Sequence, residues 1–194
     1  MTALLALGAF AIGSIPFGYV IGMVFFRTDI RRAGSGNIGA MNALRTIGKS
    51  GAIAVLFLDT LKGFVPPLLV LHFWPAWHAA AAIVAASAVL GHCISPWLGW
   101  RGGKGVATAF GAVFAIAWPA GVAAVIGWLI GAAATRYSSV GSMLGALFAA
   151  GAIYGFTHDL WLTAFGIYAA LFILYTHREN IERLLAGREN PIRL

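Results

Sequence analysis

Apolar residues in this chain run in long blocks separated by short polar segments, without the strict alternation of a half-buried strand, and that pattern predicts helices. The blocks cover residues 2–26, 51–72, 77–96, 105–118, 119–134, 139–156 and 159–176. A helix needs about 20 mostly apolar residues to cross a bilayer, with ~17 as the usual lower limit. The fourth and fifth blocks are short and contiguous. Between them Trp118-Pro119-Ala120-Gly121 predicts a tight turn, since Pro disrupts a helix interior and Gly permits a reversal. The alternative is one long, kinked span. The first block has no basic n-region and outruns a signal-peptide core, so it is expected to be a retained span.

Charge separates the two readings. With seven spans, the alternate loops and the tail hold Arg27, Arg31, Arg32, Arg45, Lys49, Arg101, Lys104, Arg136, Arg178, Arg183, Arg188 and Arg193. The opposite loops, at 72–77, 118–121 and 155–159, hold no Lys or Arg. Merging the fourth and fifth blocks would put Arg136 and the tail on the face opposite Arg45 and Lys104. The tendency of Lys and Arg to stay cytoplasmic therefore predicts seven transmembrane helices, N-terminus outside and C-terminus cytoplasmic, with Gly-rich cytoplasmic loops. Trp74, Trp77, Trp118 and Trp161 fall near the uncharged ends, where an aromatic belt is expected.

Composition agrees with an all-α integral membrane protein. Of the 194 residues, 60% are hydrophobic and 10% charged, against roughly 25% charged in soluble domains. The 25 glycines, many inside the blocks, predict close helix packing through small residues. With no linker or long repeat, residues 1–194 read as a single polytopic domain. Lone Cys93 excludes an intramolecular disulfide and any multi-Cys metal site. No metal, cofactor or nucleic acid is expected.

Three polar segments on the charged face carry the candidate chemistry. In the first, Gly34-Ser35-Gly36-Asn37 and Gly39 lead to Asn42 and Arg45. Glycines let backbone N–H groups converge on an anion, and an Arg can fork onto phosphate oxygens. A flexible turn-rich loop explains the same residues equally well. In the second, Gly102, Gly103, Lys104 and Gly105 precede a helix start, where free N–H groups attract anions. The Gly-x-x-x-x-Gly-Lys-Ser/Thr pattern fails, because position 98 is Leu and Lys104 is followed by Gly, so a nucleotide-hydrolysing loop is not expected. His92 just upstream reads first as a packed, hydrogen-bonded histidine. In the third, His177, Asn180 and Leu184 share one face of a continuing helix, and the tail charges read as the solvated face of an interfacial helix. Asp59 and Lys62, three residues apart within a span, form either a local ion pair or a functional pair. Tyr137-Ser138-Ser139 precedes the sixth span and can cap it.

Taken together these segments resemble the bacterial glycerol-3-phosphate acyltransferases that use acyl phosphate, the PlsY family. The resemblance covers almost the whole chain: Gly13-Ser14-Ile15-Pro16, the 34–42 segment, Asp59-Thr60-Leu61-Lys62-Gly63, Gly91-His92, the 102–108 segment, Tyr137-Ser138-Ser139 and His177-Arg178-Glu179-Asn180-Ile181. Met41 stands where a small polar residue is expected, and it is assigned no role. The resemblance implies an enzyme of the bacterial cytoplasmic membrane, its site on the cytoplasmic face, that makes 1-acylglycerol 3-phosphate. Acyl phosphate and glycerol 3-phosphate would be its substrates; no obligate protein partner is implied, and a monomer suffices. Ser35, His177 and Asn180 are then the expected catalytic group. Gly34, Gly36, Asn37, Arg45, Gly102, Gly103, Lys104 and Gly105 are the expected phosphate ligands, with Asn42, Asp59, Lys62, His92 and Ser139 in support. In this reading Asn180 holds His177.

Two rivals are weaker. A transporter for an anionic metabolite would scatter polar residues to midplane depth, whereas here they cluster in loops on one face. An acyltransferase using acyl-CoA or acyl carrier protein would carry His-x-x-x-x-Asp, and none of His72, His78, His92, His158 or His177 has Asp five residues on.

Overall fold

The structure, a computed structural model, describes residues 1–192, which form α-helices and short 3₁₀ turns with no strand among them. The helices are α1 (Thr2–Ser14), α2 (Phe17–Phe26), α3 (Ala40–Phe73), α4 (His78–Cys93), α5 (Val106–Ile116), α6 (Trp118–Thr135), α7 (Ser138–Thr157), α8 (Leu160–Thr176) and α9 (Arg178–Leu185). In lipid every backbone polar group must be satisfied within its own segment, which is why the apolar blocks become helices. Five segments are long and apolar enough to cross a bilayer: Thr2–Phe26, Ala40–Phe73, His78–Leu98, Trp118–Thr135 and Ser138–Thr157. The α8–α9 pair makes a sixth when counted across its bend. Arg193, one of the expected positive-face charges, lies outside the described residues.

Four breaks refine the expected blocks. The first block is not one rod: it stops at Ser14 and restarts at Phe17, because Pro16 has no N–H to continue the ladder. Helix α3 begins well before its apolar stretch and kinks at Gly48, whose φ of 80° suits glycine. The reversal between the fourth and fifth blocks falls at Ala117, not over 118–121. Trp118 and Pro119 already open α6, where a missing N–H costs nothing. Finally the chain bends by 54° at His177, so α9 does not continue α8 as one helix.

That the chain does reverse at Ala117 is visible at Gly145 of α7. A methyl added there would lie 2.5 Å from the Ala124 carbonyl and 2.7 Å from Phe110 Cζ. Residues 110 and 124 would stand about 21 Å apart on one straight helix, so α5 and α6 form a hairpin. The core is built from small residues, among them Ala81, Ala85, Ala88, Ala112 and Ala120, all fully buried. Helices α6 and α7 approach closely where Gly127 and Gly131 face Gly145 and Gly141.

Candidate active site

The three polar segments converge on one cleft of about 470 Å³. Ser35, Asn37, Asn42 and Arg45 enter it from the first, Lys104 and Gly105 from the second, and His177 and Asn180 from the third. Asp59 and His92 line its inner wall.

Asn42 organises the first segment. It is buried, and its Nδ2 donates to the carbonyls of Ile30 (2.7 Å), Asn37 (2.8 Å) and Ala33 (3.2 Å), while its Oδ1 accepts from the Ser35 N–H (2.7 Å). The loop is thereby wrapped around one amide, which leaves the Ser35 side chain exposed at the cleft. Gly34, at φ 62°, meets two demands: the left-handed backbone, and contact with Asn42 Oδ1 that a methyl would overlap. Gly34 and Gly36, both exposed, are not among the lining residues.

The second segment rests on His92. The Gly103 and Gly102 N–H groups donate to the carbonyls of His92 and Cys93, each at 3.0 Å. Gly103 lies so close to the imidazole Nε2 that any side chain there would overlap it. Those two N–H groups therefore hold the loop, and Lys104 alone projects into the cleft with Gly105 beside it. Beneath it, Lys62 Nζ sits 2.8 Å from Asp59 Oδ1 and donates to the Ile15 carbonyl at 2.8 Å, at the break between α1 and α2. His92 Nδ1 is 3.6 Å from the same Asp59 oxygen. Asp59, Lys62 and His92 are all buried, and neither Asp59 Oδ1 nor His92 Nδ1 has an aligned hydrogen bond among the described residues.

The third segment departs from expectation. His177 Nδ1 donates to the Ile173 carbonyl at 2.8 Å, so Ile173 and not Asn180 orients the imidazole. Burial, and then the charge of Lys104, hold its pKa down at about 4, which leaves it neutral with Nε2 as acceptor. Asn180 instead accepts from Lys104 Nζ and donates to Glu189 Oε1 at 2.6 Å. Burial, reinforced by the nearby Arg183, pulls the Lys104 ammonium below its usual value.

Glu189, Arg183 and Ser142 line the cleft and were not expected from the sequence. Glu189 also accepts from Ser139 Oγ (3.0 Å) and from Arg183 Nε (2.7 Å). Burial would raise its carboxyl, but the bonds from Arg183, Asn180 and Ser139 outweigh that and hold it below its usual value. Ser139 thus binds the tail and makes no side-chain cap on α7. Arg183 belongs to the site instead of the solvated face of a tail helix. Arg45 Nη2 reaches the Asn190 carbonyl at 3.3 Å. No sequence motif marked Glu189, which is one of three acids interspersed with the arginines of the tail.

Fold and cleft define an all-helical integral membrane protein whose polar site is assembled from three loops and a returning tail. A sequence model of the family described as glycerol-3-phosphate acyltransferase matches residues 3–187. Relatives bearing that description from a Synechococcus strain and from Zymomonas mobilis are 44% and 42% identical; the alignments span 99% and 94% of this chain and 96% and 92% of theirs. The crystal structure of PlsY (YgiH), an integral membrane glycerol 3-phosphate acyltransferase, is similar in its glycerol 3-phosphate form with a TM-score of 0.94 at 36% identity, covering 99% of this chain and 96% of that one. Its lysophosphatidic acid form gives 0.91 at 35%, covering 99% and 95%. The chain belongs to the glycerol-3-phosphate acyltransferase family: it is a membrane enzyme that acylates glycerol 3-phosphate, a step of phospholipid synthesis.

Proposed function

We propose that the acyl donor is acyl phosphate and that the transfer is direct. The observation that carries this is the two-ended cleft. Lys104, Arg45 and Arg183 line the cleft beside the polar loops, and Phe110 and Phe114, one and two turns along α5 from Val106, line it with Trp128 of α6 away from them. A donor with a phosphate at one end and a long chain at the other matches both. Lys104 and Asn180 hold one phosphate, Arg45 and Asn37 the other. The 1-hydroxyl of glycerol 3-phosphate attacks the acyl carbonyl carbon, the carbon–oxygen bond to phosphate breaks, and inorganic phosphate leaves with the hydroxyl proton. Ser35 donates to the carbonyl oxygen as negative charge develops there. His177 Nε2 accepts from the attacking hydroxyl and orients it. No hydrogen bond joins Ser35 to His177 among the described residues, which favours direct transfer over an acyl-serine intermediate.

The chain, a single domain sufficient as a monomer, crosses the bacterial cytoplasmic membrane seven times, N-terminus outside, with the cleft on the cytoplasmic side. The hairpin at Ala117 and the one-sided placement of Lys and Arg support this, with α5 as a short fourth span. Purified protein with glycerol 3-phosphate and either palmitoyl phosphate or palmitoyl-CoA tests the donor. Lysophosphatidate from palmitoyl phosphate is expected; its formation from palmitoyl-CoA alone would overturn the reading, and acyl-serine trapped with acyl phosphate alone would overturn direct transfer.

A further inference from the structure

Helix α5 has only 11 residues, about 16 Å, and packs between two longer helices. On one side Gly63 and Gly111 bring it against α3, with Gly63 on the Thr108 backbone and Gly111 on that of Thr60. On the other it folds against α6, where Gly121 is covered by the Phe114 ring so closely that a side chain there would overlap it. The apolar end of the cleft follows this short helix. Leu56 of α3 and Val125 of α6 stand on its two sides, 50% and 38% exposed, and α5 supplies Val106, Phe110 and Phe114 at successive turns.

Phe114 is the last of these lining residues along α5. It lies eight residues beyond Val106, about 12 Å along the axis, and Lys104 stands above Val106. From cation to Phe114 the groove is therefore about as deep as one leaflet's hydrocarbon, half of the ~30 Å core. The ring keeps its place because residue 121 has no side chain.

We propose that Phe114, seated on Gly121, is the floor of the acyl-chain groove and sets the chain length the enzyme prefers. The inference rests on the reading that this cleft takes the acyl donor. A chain that reaches the ring buries its methyl end; a longer one must bend out between Leu56 and Val125, and a shorter one leaves the groove part empty. Each buried methylene stabilises by about 0.8 kcal/mol, roughly fourfold in binding, so moving the floor by one or two methylenes shifts the preference measurably.

The test compares kcat/KM for lauroyl, palmitoyl and arachidoyl phosphate in wild type, Phe114→Ala and Phe114→Trp. Phe114→Ala should raise the arachidoyl-to-palmitoyl ratio by about fivefold or more, and Phe114→Trp should raise the lauroyl-to-palmitoyl ratio similarly. The KM for glycerol 3-phosphate should stay the same in both. Unchanged ratios in active variants would overturn the floor while leaving the donor reading standing, whereas a wild type inactive with every acyl phosphate would overturn the donor. Wild-type protein photolabelled with a palmitoyl phosphonate carrying a diazirine at the chain end removes dependence on how the variants fold. Label at Phe114 or Gly121 supports the floor; label elsewhere overturns it.

Discussion

Asn180 donates to the Glu189 carboxylate over 2.6 Å while its side-chain oxygen accepts from Lys104. One amide thus ties the loop before α5 to the tail after α9. Glu189→Gln keeps the shape but removes the charge that holds Asn180, Ser139 and Arg183 together, and charge-assisted bonds of this kind contribute about 1.5–3 kcal/mol each. Acyltransfer should fall by about tenfold or more, with a lower unfolding temperature in detergent. An unchanged rate and melting temperature would show that the tail does not organise the cleft.

Because the folded Glu189 carboxyl lies below its usual value of 4.5, its contribution to stability is fully present above that pH. It is lost as pH falls through the lower, folded value. Wild-type melting temperature should therefore drop as pH is lowered below 4.5, and Glu189→Gln should flatten that part of the curve.

His177 titrates at about 4 in the folded enzyme against 6.5 for a free side chain. A depressed base destabilises the fold progressively as pH falls from 6.5 to about 4, since only the unfolded chain takes up the proton there. In activity, protonation would turn the Nε2 acceptor into a donor. The His177-dependent loss of kcat should then lie near pH 4, with no inflection at 6.5. An acid limb centred at 6.5 and absent in His177→Asn would show that burial does not depress this imidazole, and a profile identical in wild type and His177→Asn would reject the neutral-acceptor role.

The Asp59–Lys62 contact lies in the bundle interior, both side chains only 2% exposed. Removing one partner leaves the other charge buried and uncompensated, which typically costs about 3–5 kcal/mol. Asp59→Ala should strongly lower the melting temperature, and Lys62→Met combined with Asp59→Leu should recover a good part of the loss. Failure of the double variant to recover any would show that the Ile15 carbonyl, not the ion pair, is what Lys62 is there to satisfy.

Gly103→Ala would force a methyl into the His92 imidazole, displacing the loop that carries Lys104. Activity should fall by about tenfold or more. Removing the ring should relieve the clash, so His92→Ala with Gly103→Ala should be no worse than His92→Ala alone. Additive losses would mean that the glycine serves substrate directly.

Much of this architecture was legible in the chain. Long apolar runs became helices, Pro-Gly chemistry marked the reversal near 117, and the glycine-bearing segments 34–39 and 102–105 pointed to the cleft. Asp59 and Lys62, three apart, could be paired on paper. Their proximity to His92 could not, because it depends on how α3 and α4 fold together. The partner of His177 was misread because Asn180 lies at helical spacing from it, and the bend at 177 frees Asn180 for Lys104.

Hydrophobic length and charge placement, which are local and additive along the chain, determined that this is a helical membrane protein with its polar loops gathered on one face. Tertiary structure alone decided that Glu189 and Arg183 line the cleft, that Gly102 and Gly103 spend their N–H groups on the carbonyls of His92 and Cys93, and that the Phe114 ring seats on Gly121. Each of those depends on two distant segments meeting at contact distance. No local pattern encodes such a meeting; it follows from which helices close on each other through glycine and alanine.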